Sequence, residues 1–303
     1  MSGVSGSYYG PVTTPKRDSV TIRTIRKMVR DGQPFACLTC YDATTARWLE
    51  RAGVHVLLVG DTAAEVILGY SRTIDMPLEI AVALTGAVKR GAPRALVMAD
   101  MPFMSYQADA AEAVRNAGRF MTEGLADVVK VEADQSHAEV IGRMARAGVP
   151  VCAHVGSRPQ LAGLQGGYSG AGRTPKEAAK VVEDAVVLEK SGAVMLLVEA
   201  VPAEVTDEIM RATTVPLIGI GAGPACHGQV LVLQDLVGMT DEPPRFAEGV
   251  AKIGPALQAA GEEWVRRVAE RRIGGAGYEM KAGGSIRAAG GGEQKRGVPG
   301  GRE

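Results

Sequence analysis

The sequence carries no surplus charge of either sign: 34 Lys and Arg stand against 34 Asp and Glu in 303 residues. Nucleic-acid and membrane-surface proteins show a basic excess or stripe, so neither partner is expected. Long apolar runs are missing as well. None approaches the roughly 18–20 residues that span a bilayer, and Met1–Pro15 has neither the basic start nor the apolar stretch of a signal peptide. Only four cysteines are present. That is no disulfide framework for a chain of this length, and a reducing cytoplasm is the expected compartment. What is there, 46% hydrophobic and 22% charged residues, suits a soluble globular chain with a sizeable core.

The two ends differ from the middle. Residues 1–18 are polar and aperiodic, and 273–303 are Gly-rich and poor in large apolar side chains, so neither offsets its ordering entropy and both are expected to be flexible. Between them, over 19–272, a short apolar run followed by an amphipathic segment recurs. The runs are Phe35–Tyr41, Val54–Val59, Ala95–Ala99, Val128–Val131, Val149–His154, Ala193–Val198, Val215–Ile220 and, more weakly, Val230–Leu233. They are rich in β-branched residues and barely alternate, as parallel strands buried on both faces do. Helices are predicted over Thr44–Arg51, Ile80–Lys89, Ala110–Glu123, Ala138–Arg146, Pro175–Lys190 and Ala203–Ala212. Most end at a Gly (Gly53, Gly91, Gly124, Gly148, Gly192), read as a left-handed cap. Thr174-Pro175 supplies an N-cap with proline at the first helical position. Eight strands alternating with helices predict a (β/α)8 TIM barrel rather than a doubly wound sheet, with helices in Phe246–Ala269 closing it.

Barrel active sites lie at the C-terminal ends of the strands, and here those ends are charged. Asp61 follows the second run, Asp100 the third, Lys130 and Glu132 the fourth, His154 the fifth and Glu199 the sixth. One acidic strand end is commonplace, since Asp also caps helices; capping is the preferred reading of Asp42. Four carboxylates with a Lys and a His point instead to a shared site. Carboxylates facing one another repel unless a cation sits among them. An all-oxygen set without paired histidines favours Mg²⁺ over Zn²⁺. Asp61 and Asp100 are the candidate direct ligands, with Glu132 one strand further. Lys130 lies on the same side of its strand as Glu132 and offers a charge to a substrate carboxylate. Glu199, across the barrel, is placed to remove a proton. A cation chelating a 2-oxo acid acidifies the adjacent C–H, which is aldol-type chemistry. Residue types alone do not name the electrophile.

Other features have plainer readings. Cys37 and Cys40 form a C-x-x-C inside a buried run with no second pair, and Cys152 and Cys226 are structural in the same way. The Gly219–Gly223 run opens a seventh loop, not the first βα turn that a dinucleotide fingerprint needs, although it could approach a substrate or anion closely. His55 and His137 read as structural or solvated, and His227 stays open between site and structure. Arg266-Arg267 and Arg271-Arg272 read as a solvated helix face.

The stretches Leu38-Thr-Cys-Tyr-Asp42, Leu58-Val-Gly-Asp-Thr62, Arg90-Gly-Ala-Pro93, Ala99-Asp-Met-Pro-Phe103, Val129-Lys-Val-Glu132 and Val151-Cys-Ala-His-Val-Gly156 form a set. It continues with Gly166-Gly-Tyr168, Gly172-Arg173, Val198-Glu-Ala-Val-Pro202, Gly219-Ile-Gly-Ala-Gly223 and Gly228-Gln-Val-Leu-Val232. In unbroken order from Pro34 to Gly238, this set resembles the ketopantoate (3-methyl-2-oxobutanoate) hydroxymethyltransferase family. The resemblance implies a TIM barrel of the phosphoenolpyruvate/pyruvate type that transfers a hydroxymethyl group from 5,10-methylenetetrahydrofolate to 3-methyl-2-oxobutanoate, towards pantothenate. It also implies a homo-oligomer, often a decamer. Carried over by position, Asp61 and Asp100 match Mg²⁺ ligands, Glu132 the carboxylate beside the metal, and Thr62 and Lys130 the contacts to the substrate carboxylate. His154 matches the fifth-strand histidine, and Glu199 the proton acceptor. The sequence departs from the pattern at Ala133-Asp134 (usually Gly-Gly), Arg158 (usually Thr), Ser169-Gly170-Ala171 (usually a basic residue), His227 (usually Asp) and the C-terminal segment. A paralogue acting on another 2-oxo acid or on free formaldehyde, a silent barrel scaffold, and a phosphoenolpyruvate-mutase-like lyase are the alternatives. The last usually brings a reactive Cys after strand four, and Ala133–His137 has none.

Overall fold

A computed structural model describes residues 18–275. Of the expected flexible ends, 1–17 and 276–303 lie outside the described residues. Eight parallel strands close into a barrel in sequence order: β1 Phe35–Thr39, β2 Val56–Val59, β3 Leu96–Asp100, β4 Val128–Glu132, β5 Val151–Gly156, β6 Met195–Glu199, β7 Leu217–Ile220 and β8 Gly228–Leu231. Each strand sends alternate residues to opposite faces. One stripe (Cys37, Val56, Leu58, Leu96, Met98, Val128, Cys152, Met195, Leu197, Ile218, Val230) fills the interior. The other (Leu57, Val59, Val97, Ala99, Val129, Val131, Ala153, Leu196, Val198) packs under the helices. Burial on both faces explains why the runs barely alternate in sequence. All six expected helices form, as Ala43–Ala52, Leu78–Gly91, Ala110–Thr122, Ala138–Arg146, Pro175–Lys190 and Ala203–Ala212.

Besides three single-turn helices, one longer helix has no counterpart in the sequence reading. Ile22–Arg30 is opened by Thr21, whose hydroxyl accepts from the Thr24 N–H at 3.2 Å in a capping box. Its fully buried Ile25 joins Phe35, Val56, Leu96 and Val128, the first residues of their strands, so the helix stoppers the N-terminal end of the barrel.

Three expectations are corrected. Gly53, Gly148 and Gly192 are left-handed, but Gly91 and Gly124 are not. They are glycines for closeness, since a Cβ on Gly91 would lie 2.3 Å from the Ala43 carbonyl oxygen and one on Gly124 2.8 Å from that of Phe120. The eighth strand starts two residues earlier than expected and follows a turn at 221–227. The helix expected within Phe246–Ala269 is likewise corrected in its bounds: it begins only at Ile253 and runs to Ala269. The chain divides into two compact units at Pro255/Ala256, and the barrel lies within the first. Among the described residues no helix is long and apolar enough to cross a membrane.

Candidate active site

The interior stripe changes character along β3, β4, β5 and β6. It is apolar through Met98, Val128, Cys152 and Leu197, and two residues later it becomes Asp100, Lys130, His154 and Glu199, with Glu132 two beyond Lys130. Strand pairing sets Asp100 beside Lys130, Glu132 beside His154 and Gly156 beside Glu199. Gly60 and Asp61 leave β2 at the same level, and the Asp61 N–H donates to Asp100 Oδ2 at 3.1 Å. Asp61, Thr62, Asp100, Lys130, Glu132, His154 and Glu199 all line one small cavity of about 50 Å³ at the C-terminal mouth. Thr62, Pro159, Glu199, Ile220 and Val232 also line a wider cavity of about 590 Å³ that reaches Glu65, Tyr168, Asp235 and Phe246.

Four carboxylates share the inner cavity with one lysine. Lys130 and Asp100 are both buried, and Nζ lies 2.5 Å from Oδ1. Burial alone would lower the lysine pKa; Asp100, Asp61 and Glu132 outweigh it and hold the ammonium charged. Asp61 is raised by burial and then by repulsion from Asp100. Glu132 is raised by burial and then by Asp61. Burial, reinforced by Asp61 and Asp100, pushes Glu199 up to about 7. His154 is held well below its usual range by burial and then by Lys130 and Arg158, so its ring is neutral near pH 7. Neither ring nitrogen makes a hydrogen bond. Glu199 Oε2 stands 3.4 Å from Nε2, and Glu132 Oε1 3.9 Å from Nδ1.

Asp61 and Asp100 leave neighbouring strands, and the donors they offer are hard oxygens. Among the described residues no three His, Cys, Asp or Glu side chains form a metal cage. A small hard cation asks for less: Mg²⁺ usually takes one or two carboxylates and keeps its other positions for water and substrate. Asp61 and Asp100 fit that demand.

Other features fall outside the site. Asp42 caps Ala43–Ala52, accepting from Thr44 and Thr45 N–H at 2.8 and 2.9 Å, as expected. His55 and His227 accept backbone N–H groups from Ala36 and Leu217 near the N-terminal ends of strands, so His227 is structural. Cys37 faces the interior cluster and Cys40 the outer one, on opposite faces of the sheet. The glycines at 219, 221 and 223 make room for Cys226, Phe246 and Ala203. Two departures from the family pattern meet each other: Arg158 Nη1 donates to Asp134 Oδ2 at 2.9 Å, tying the loops after β4 and β5. Gln160 and Tyr106, given no role by the sequence reading, reach the site carboxylates or their backbone.

A family model described as ketopantoate hydroxymethyltransferase matches residues 19–275. The chain belongs to the ketopantoate hydroxymethyltransferase family. The 3-methyl-2-oxobutanoate hydroxymethyltransferase of Alkalilimnicola ehrlichii is 45% identical over 253 residues, covering 83% of this chain and 91% of its own. That of Halorhodospira halophila is 43% identical over 250 residues, covering 82% and 90%. Membership makes the chain an enzyme of the hydroxymethyltransferase class and sets aside the silent scaffold and the mutase-like lyase. Solved structures agree on the fold alone. Phosphonopyruvate hydrolase superposes with a TM-score of 0.59 at 12% identity over 84% of this chain and 89% of its own. The 2,3-dimethylmalate lyase, a PEP mutase/isocitrate lyase superfamily member, gives 0.54 at 17% over 88% and 93%.

Proposed function

We propose that this member of the family transfers a hydroxymethyl group from 5,10-methylenetetrahydrofolate to 3-methyl-2-oxobutanoate, forming 2-dehydropantoate, with Mg²⁺ held by Asp61 and Asp100. The observation that carries the reading is the cavity itself, where one partly exposed carboxylate with a raised pKa faces two buried aspartates across the barrel mouth. A solved protein of the same fold, phosphonopyruvate hydrolase, is a complex with oxalate and Mg²⁺, and it lends support by analogy. When bound, the cation would polarise the keto and carboxylate oxygens of the 2-oxo acid and acidify its C3–H.

The chain's own residues do the rest. Lys130 and the Thr62 hydroxyl, which caps no helix N–H, bind the substrate carboxylate. Glu199, with a pKa near working pH, takes the C3 proton. His154, neutral and without a hydrogen-bond partner, has an N–H free for the developing oxyanion. The C3 carbon then bonds to the one-carbon unit; one water supplies the hydroxyl oxygen as both tetrahydrofolate nitrogens are released. The wider cavity beside Thr62 and Glu199 has room for the carrier. The test is a panel of 2-oxo acids with methylenetetrahydrofolate, read by product mass. Hydroxymethyl addition to 3-methyl-2-oxobutanoate in preference to its homologues supports the reading. Preference for another acid, or for free formaldehyde, replaces it.

A further inference from the structure

Gln160 sits in the 3₁₀ turn Pro159–Leu161 just after β5, at 6% exposure. Its N–H donates to Glu132 Oε2 at 3.0 Å. Its side-chain Nε2 donates to Asp61 Oδ2 at 3.0 Å and to the Met101 carbonyl at 3.1 Å. Its Oε1 accepts from Gln107 Nε2 at 3.0 Å and lies 2.9 Å from the Tyr106 hydroxyl. The amide therefore has only one satisfactory orientation. Flipped, its oxygen would face a carbonyl and a carboxylate, neither of which can donate. One residue from β5 thus holds the exits of β2, β3 and β4.

The chemistry of the brace matters as much as its reach. A Lys or Arg at this place would neutralise Asp61 and compete with a cation. A neutral amide fixes one Asp61 oxygen and leaves the carboxylate's charge, and its Oδ1, to a ligand. Lys130 already pairs with Asp100, so Asp61 stands beside it without an ion pair of its own among the described residues.

We infer that Gln160 is a positioning residue that aims Asp61 and Glu132 at the bound cation and so sets cation affinity. The inference rests on the Mg²⁺ reading above. Outer-shell partners of this kind typically change metal affinity about 10–100-fold when removed. Gln160→Met keeps the length and fill of the side chain while deleting its side-chain hydrogen bonds, those to Asp61 included, and leaves the backbone N–H to Glu132 in place. Mg²⁺ titration of the full chain by calorimetry should give a dissociation constant raised about 10–100-fold, with kcat recovered to within about threefold at saturating Mg²⁺. A merely structural role would lower thermal stability and kcat without moving the Mg²⁺ constant. Tyr106→Phe removes one of the two donors that orient the amide, so it should weaken Mg²⁺ several-fold in the same direction if Gln160→Met does not fold. Wild-type protein that fails to bind Mg²⁺ overturns the metal reading itself. Wild-type binding with a constant unchanged within twofold in a folded variant overturns the role of Gln160 and leaves that reading standing.

Discussion

Replacing Glu199 by Gln separates chemistry from stability at one atom. The side chain keeps its shape and loses its charge. In the folded protein, burial and repulsion from Asp61 and Asp100 hold the Glu199 carboxyl at about 7 against an ordinary 4.5. At about 1.4 kcal/mol per pH unit, carrying that charge costs the fold at most about 3 kcal/mol. The folded carboxyl keeps its proton to higher pH than the unfolded one. Metal-free wild type therefore pays nothing below pH 4 and loses the full amount as pH rises from about 4.5 through 7. Glu199→Gln has nothing to titrate there. In EDTA, urea denaturation should find the variant close to wild type at pH 4.5 and up to about 3 kcal/mol more stable at pH 8. Turnover of the same variant should fall about 10²–10⁴-fold through loss of the base. Full turnover, or a stability difference that does not change with pH, would refute the assignment.

Asp61→Asn and Asp100→Asn should each weaken Mg²⁺ by at least about tenfold in calorimetry, roughly 1.4 kcal/mol, because a two-carboxylate site has no spare ligand; wild-type affinity in both would remove the pair. Ile25→Ala should cost about 2–5 kcal/mol in denaturant titrations with little change in slope, since the methyls removed are fully buried in the barrel's lower plug. Asp134→Ala and Arg158→Ala, with the double variant, should show a coupling of about 0.5–3 kcal/mol in stability. Strict additivity would mean that the 2.9 Å pair is incidental.

The barrel and its charged rim were legible because both follow from parity. Strands buried on two faces leave apolar runs, and a polar residue two positions past the last interior one must project into the mouth. Lys130 and Glu132 were placed on one side of β4 by that argument alone. Gln160 was not legible, since a neutral amide signals no chemistry and its partners Glu132 and Asp61 lie 28 and 99 positions away. The Arg158–Asp134 pair was hidden for the same reason: each looked like a separate departure, and only closure of the barrel brings the two loops together. The nine-residue helix Ile22–Arg30 escaped because its basic residues obscure the apolar spacing of Ile22, Ile25 and Val29. The capping pair Thr21 and Thr24 was the available signal. In Ile253–Ala269 the helical pattern was readable, and only its start was misplaced, by seven residues.

Proton NMR in D₂O follows the C3–H signal of 3-methyl-2-oxobutanoate mixed with the protein, with and without Mg²⁺ and with no folate present. The signal should disappear with Mg²⁺ and wild-type protein, and persist with Glu199→Gln or without the cation. A signal that survives in every mixture, with this and other branched 2-oxo acids, would mean that the carboxylates at the barrel mouth do not take the proton on which the account depends.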